Sequence, residues 1–509
     1  MSDISSNNKR LAKNTMALYF RTLISTIVSL YTVRALLDAL GATDYGIYNV
    51  VGSIVVTFSF FNSTLRSAIQ RFMNVALGRN DREGLIKVFS LSNIIMIGLI
   101  LFIVILAETV GLWFLNNKLE IPTERFTSAQ IAYHFTILTF CLGVIRIPLE
   151  SSVIAYERMT FFAYLSIIEQ ALKLLVVFGL YNTPFDKLIT YAILLSFTAF
   201  VTLAAYYLFC KKNFECCRYK FIFDKKIFKS LFSFSGWTFL GATADLGTRQ
   251  AFVFLLNNFY GVVANAAMGI ANQVVNTVNA LIVGFQTSFR PQLVKSYAQG
   301  NIEYVTKLIH SSSKISFLLM FLPGILIIIN APFILGLWLK EIPDYTVSFC
   351  RLILVCSVID ATTGPYYATL MATGDIKKYQ ICISLVFCLD IFLMCIMFFC
   401  GVGAEYILYS RILTRGVMNM LVGLYFLKRQ LSFKVFPYLR EVVLPIIVYI
   451  IVLVPFIYYM MEYVNGLQLL VFSFVLISTA GLIIPYKLVL DIKERNLIKS
   501  MLLLKIFKK

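Results

Sequence analysis

Fourteen stretches of about 20 to 26 predominantly apolar residues follow one another along the chain, each long enough as an α-helix to cross roughly 30 Å of hydrocarbon. They run over 14–37, 45–68, 87–111, 128–152, 161–181, 188–210, 231–256, 266–289, 312–337, 346–371, 379–401, 404–427, 442–461 and 467–486. With 59% hydrophobic and only 14% charged residues, no water-soluble fold could hide this much apolar surface. The expected fold class is an all-α polytopic membrane protein of about 14 transmembrane helices.

The net charge of +19 would suggest nucleic acid in a soluble protein, but its placement points to topology and to no nucleic-acid partner. Of the 45 Lys and Arg, 33 fall on the tails and even-to-odd connections, counting with them Arg66, Lys87 and Lys314 at span edges; four fall on the opposite side (Lys118, Arg125, Lys187, Lys340) and the other eight within spans. Positive residues mark the cytoplasmic side, so both termini are expected there. One missed or invented span would have reversed every later loop. The first apolar stretch is too long for a signal-peptide core and is interrupted by Arg21 and Arg34, so it reads as span one. The ten cysteines read as buried small hydrophobes. Nothing has metal-ligand spacing, and His134 and His310 are too few for a histidine-based site.

A skeleton recurs about 220 residues apart: Gly-Leu-Trp at 111–113 and 336–338, Ile-Pro at 121–122 and 342–343, and Pro148/Ala155 against Pro365/Ala372. An Ala-x-Gly turn, 76–78 and 298–300, precedes each copy. A period this long reads as a duplicated half-protein, and in so apolar a chain it suggests a transporter. The expected organisation is an N-lobe over 1–210, a basic interfacial linker over 211–230, a C-lobe over 231–429, two further spans over 430–486, and a basic amphipathic tail over 487–509. The copies are separated by an even number of spans, which relates them by an axis along the membrane normal.

Polar groups inside the spans must carry any function. In span eight Asn265, Asn272, Asn276, Asn279 and Gln286 fall within about 80° of one another at 100° per residue, giving an amide-lined face. Span two shows a weaker stripe of Asn49, Ser53, Thr57, Ser63 and Thr64. Two such faces predict a hydrated cavity between the halves. Charges at membrane depth are costly and are candidates by default. Arg146 with Glu150, Lys173 with Glu169 and Arg249 with Asp245 are spaced as i,i+4 pairs, and Arg34 and Arg351 lie near span ends, where they can snorkel. Arg21 has no such partner. Arg411 and Arg415 share one face of span twelve, where two like charges need water or an anion. Guanidinium forks suit a diphosphate, because each pairs two oxygens at once. Arg21, Arg249, Arg411 and Arg415, with Asn272, Asn276 and Asn279, are therefore the expected substrate-binding residues. Asp245 and Asp360 are the expected ion-coupling residues, with Asp390 a further carboxylate in the spans. Pro148, Pro323 and Gly364-Pro365 are expected bending points.

Leu36-Leu-Asp-Ala-Leu-Gly-Ala-Thr-Asp-Tyr-Gly46 between spans one and two, and Ala155-Tyr-Glu-Arg158 after span four, within a 6+6+2 arrangement, resemble a known family. It is the polysaccharide repeat-unit (Wzx-type, O-antigen) flippase branch of the multidrug/oligosaccharidyl-lipid/polysaccharide (MOP) exporter superfamily. The resemblance implies a MATE-like fold in a bacterial inner membrane and an alternating-access carrier without cofactor or bond chemistry. It further implies an undecaprenyl-diphosphate-linked oligosaccharide moved from the cytoplasmic to the outer leaflet, in exchange for H+ or Na+. Related alternatives are a multidrug exporter, which would need carboxylates dominating its cavity, and a lipid II flippase. A membrane-embedded glycosyltransferase or polymerase would require acid–base carboxylates in a sizeable loop, and the longest outer connection holds only Glu120 and Glu124.

Overall fold

A computed structural model describes residues 2–56, 59–117, 121–217, 222–339, 341–463, 466 and 468–474. Every regular element among them is helical, as expected where no water is present to satisfy an open strand edge. The helices are α1 (Ser2–Val56, broken at Gly41), α2 (Ser59–Gly78), α3 (Arg82–Asn117), α4 (Phe126–Ala155), α5 (Met159–Gly179) and α6 (Lys187–Asn213). They continue with α7 (Lys225–Ala298, broken at Gly261), α8 (Ile302–Trp338), α9 (Thr346–Thr373), α10 (Lys377–Phe399), α11 (404–431) and α12 (435–463). Contacts divide the described residues into two compact units, a first over 13–236 and a second over 237–474 that also takes in 2–12.

Ten helical segments among the described residues are long and apolar enough to cross a membrane. They correspond to spans one, three to six, eight to eleven and thirteen. Spans seven and twelve are helical too, but Asp245, Arg249, Arg411 and Arg415 make them less apolar. Span two crosses residues 57–58, and most of span fourteen and the basic tail lie outside the described residues. Of the basic interfacial linker expected over 211–230, residues 218–221 lie outside the described residues. Lys225–Lys229 is the first turn of α7, started by Asp224, whose Oδ1 accepts from the Lys226 and Ile227 amides at 2.9 and 3.1 Å. Cys216 and Cys217 are buried free thiols with sulfurs 3.8 Å apart.

Local backbone structure repeats with the duplication. Gly41 and Gly261 both break a long helix at φ 77°, a left-handed conformation that glycine adopts without a Cβ penalty. After α2 and α7 the chain turns through left-handed Asn80 and Gly300. It then starts the next helix with an equivalent cap: Asp81 accepts from the Gly84 amide and Asn301 from the Tyr304 amide. Gly300 is therefore the counterpart of Asn80, and Ala298 that of Gly78. The Ala-x-Gly pairing read from the sequence was two residues out of register, because the recurring element is a left-handed residue followed by a side-chain cap, and asparagine satisfies it as well as glycine.

In the first unit, Asp44 of the Leu36–Gly46 segment is held in a clamp at the Gly41 turn. Arg125 donates from Nε to Asp44 Oδ1 at 2.8 Å and from Nη1 to Asp186 Oδ2 at 2.5 Å. Asp186 also accepts from Ser128 Oγ at 3.1 Å and, as the N-cap of α6, from the Ile189 amide at 3.0 Å. Lys187 Nζ and Tyr181 Oη donate to the Ala39 and Ala35 carbonyls at 3.1 and 3.2 Å, the first of them in the last turn before the break, where carbonyls lose their intrahelical partners. Burial alone would lift the Asp186 carboxyl, but hydrogen bonds from Arg125, the Ile189 amide and Ser128 outweigh it and hold the group below the ordinary aspartate range. A depressed folded-state value contributes stability that is complete above the unfolded value of about pH 4 and is lost as pH falls through the lower folded value. Thermal unfolding of wild type and Asp186→Asn should therefore differ near neutrality and converge in acid. A gap that persists undiminished well below pH 4 would refute this assignment.

Candidate intramembrane charge sites

Each unit carries one network of charged side chains within its spans. In the first, α4 projects Arg146 and Glu150 one turn apart around Pro148, and α5 projects Glu169 and Lys173. Arg146 Nη1 lies 2.9 Å from Glu169 Oε2, and Lys173 Nζ 2.8 Å from Glu169 Oε1. Arg66 Nη1 lies 2.6 Å from Glu150 Oε1. The expected Arg146–Glu150 pair is present as a long ion pair, Nε to Oε2 at 3.9 Å, and Glu169 on the neighbouring helix approaches Arg146 more closely. Lys173 keeps its expected partner. Arg21 sits with its guanidinium 5.0 Å from the centre of the Phe162 ring, a cation–π contact, and its Nε is buried without a hydrogen bond.

Charge in this network does not balance. Arg21, Arg66, Arg146 and Lys173 face Glu150 and Glu169, leaving two cations in excess among the described residues. In a low-dielectric surrounding such an excess attracts an anion strongly. Arg66, which the charge count assigns to the connection after span two, lies on α2, which runs on to Gly78. The signal that could have found it was Glu150, a buried acid with two basic neighbours to share.

The second network is neutral. Arg249 Nε lies 3.1 Å from Asp245 Oδ2 on the same helix, and Arg415 Nη2 lies 2.8 Å from Asp245 Oδ1. Asp390, fully buried on α10, lies 3.6 Å from Arg411 Nε and 3.5 Å from Arg415 Nε, and accepts from Thr414 Oγ1 at 2.6 Å. The two guanidinium planes rest over the rings of Phe252 and Phe387 at 4.9 and 5.0 Å. Asp360 interacts electrostatically with Arg415, Arg249, Arg411 and Asp245. Arg411 and Arg415 thus have carboxylate partners on two other helices, Asp390 and Asp245, although Arg411 Nε, Arg415 Nε and Asp390 Oδ2 are buried without a hydrogen bond. The sequence reading placed Asp390 behind Asp245 and Asp360 because its partners lie on another helix. The π-helical turn Ile412–Met418 holds Arg415, and such turns are frequent at functional sites.

The structure brings Arg249, Arg411, Arg415, Asp245 and Asp360 together in the second unit and places Arg21 in the first. Asn272 and Asn279 are half-buried and Asn276 is exposed, on a helix whose Ala264, Ala267, Ala271, Val275 and Val278 form the core face. The stripe expected in span two falls partly outside the described side chains. Gly364, read as a bending point, is covered by the Gln286 amide, which a side chain there would have to displace. Arg351 Nε donates to the Ile328 carbonyl at 3.0 Å.

A family described as polysaccharide biosynthesis protein matches residues 11–296, and the MatE family matches residues 248–397. No curated protein matches the chain. Among solved structures it is similar to a MOP superfamily transporter from Pyrococcus furiosus, at 15% identity and TM-score 0.73, with 84% of this chain and 97% of that one covered. A MATE transporter from Vibrio cholerae shares 14% identity at TM-score 0.68, over 85% of this chain and 100% of that one. A MATE protein in a straight conformation shares 14% identity at TM-score 0.71, over 82% and 95%. At these identities the likeness is one of fold.

Proposed function

The chain belongs to the polysaccharide biosynthesis protein family, and from that premise we propose that it is a flippase for an oligosaccharide linked to undecaprenyl diphosphate. It moves this lipid from the cytoplasmic to the outer leaflet of a bacterial inner membrane for surface-polysaccharide assembly such as O-antigen. One observation carries the reading: the first unit's network has two cations more than carboxylates. A diphosphate that links two groups carries one ionised oxygen per phosphorus, so its two negative charges match that excess, and guanidinium forks suit its paired oxygens. A multidrug exporter of the same fold would need the opposite sign to hold organic cations, and neither network has a surplus of carboxylate.

Transport here makes and breaks no covalent bond. Within the proposal, Arg21 binds the diphosphate with Arg66 and Arg146 in the first unit; Asn272, Asn276 and Asn279 are the proposed polar substrate contacts of the second. Arg249, Arg411 and Arg415 belong to a balanced network, which suits exchange of partners better than anion binding. Asp245 and Asp360 in that network are the proposed ion-coupling groups, for H+ or Na+.

Proteoliposomes of the purified chain test the reading by measuring leaflet exchange of a fluorescent polyprenyl-diphosphate-linked oligosaccharide beside uptake of a fluorescent organic cation. The lipid is expected to move, faster under an imposed H+ or Na+ gradient, and the cation is not. Transport of the organic cation alone would overturn the proposal. A rate indifferent to both gradients would remove ion coupling from it.

A further inference from the structure

Glu150 is 5% exposed, yet only one of its oxygens is satisfied. Its Oε1 pairs with Arg66 at 2.6 Å. Its Oε2 is buried with no hydrogen-bond partner, as are Arg146 Nε, 3.9 Å away, and Arg21 Nε. Arg21 is attracted electrostatically to the same carboxylate. Buried polar atoms are normally paired, and leaving one idle is costly. Two idle donors and one idle acceptor therefore surround a single acid in the network with excess cations. The carboxylate is too short to satisfy Arg66, Arg146 and Arg21 at once. A group with more oxygens and more charge could.

We propose that Glu150 is an internal stand-in for a substrate phosphate: it holds Arg66 and draws on Arg146 and Arg21 while the site is empty, and gives them up to an incoming diphosphate. The inference rests on the flippase reading. Its consequence is selectivity. A ligand must outcompete a carboxylate already in contact with the arginines, and a headgroup with one negative charge offers no more charge than Glu150 itself. A diphosphate diester, with two charges, does. Glu150 thus excludes the anionic phospholipids that surround the protein in far greater number, and specificity arises from a built-in competitor as much as from attraction. The same competition aids release, because a diphosphate facing unopposed guanidinium groups at low dielectric would leave slowly.

The test uses the full chain in nanodiscs, with binding of a fluorescent short-chain polyprenyl-diphosphate sugar measured with and without phosphatidylglycerol in the bilayer. Glu150→Gln keeps the shape and removes the competing charge. It should bind the probe about tenfold more tightly, the change produced by about 1.4 kcal/mol, and phosphatidylglycerol should now displace the probe, as it does not in the wild type. Lipid translocation should slow. Glu150→Asp, which keeps the charge but shortens its reach to Arg66, should bind more tightly than wild type by a smaller factor, and it serves where the glutamine variant fails to fold. Arg21→Ala is the control for the underlying reading. If wild type binds the probe and Arg21→Ala weakens binding, but neither Glu150 variant tightens it, the stand-in role is wrong and the flippase reading survives. If wild type does not bind the probe at all, the flippase reading itself fails.

Discussion

Replacing Arg21 by alanine is expected to abolish translocation of the diphosphate-linked lipid while leaving the protein folded. Its side chain makes one described contact, over the Phe162 ring, worth about 1 kcal/mol, so the fold loses little. The substrate loses far more. Truncating one member of a desolvated, charge-assisted pair costs about 2 to 5 kcal/mol, or at least about thirtyfold in affinity. Arg21→Lys should fall between, because an ammonium restores the charge but not the planar fork. Both are measured by complementation and leaflet exchange in a strain lacking its own flippase, with expression matched. Transport by Arg21→Ala at the wild-type rate would exclude Arg21 from the site.

The second large effect concerns stability. Asp390→Ala should destabilise the second unit by about 3 to 5 kcal/mol, the cost of leaving a buried charge without its partner. Arg415 retains Asp245 at 2.8 Å. Arg411, 8% exposed, has Asp390 as its described carboxylate, so it is the residue left stranded. Adding Arg411→Leu to Asp390→Ala should therefore recover much of the loss, as replacement of a whole buried pair often does. Thermal unfolding of the detergent-solubilised variants gives both numbers. An unchanged transition in Asp390→Ala, or a double variant less stable than the single one, would show that Asp390 does not neutralise Arg411. The contrast between Arg21 and Asp390 separates two roles that look alike in the sequence, where each is a charge inside an apolar span.

Much of the architecture was legible because it depends on local chemistry. Apolar length sets which segments are helical. The duplication was legible as repeated tryptophan and proline positions, but its register was not. Asn80 and Gly300 occupy the same left-handed turn, and no residue-by-residue match pairs asparagine with glycine. The site was legible by type and not by partner. Lys173 with Glu169 was read correctly because both lie on one helix face. Helix spacing pairs Arg146 with Glu150, which lie 3.9 Å apart, but Glu169 from the adjacent helix comes closer, and the Arg66–Glu150 pair joins two helices, so no spacing along the sequence reveals it.

From the sequence alone came the helical class, the expected sidedness, the duplicated plan and the presence of isolated cations in apolar spans, all of which follow from composition and spacing along one chain. Only the tertiary structure decided which charges meet. It showed that the second network is neutralised by Asp245, Asp360 and Asp390, and that the first keeps an excess of two cations around a half-satisfied Glu150. The reason is physical: helical periodicity fixes the face a side chain occupies on its own helix, whereas the balance of charge in a dry interior depends on distances of about 3 Å between helices that sequence spacing does not encode.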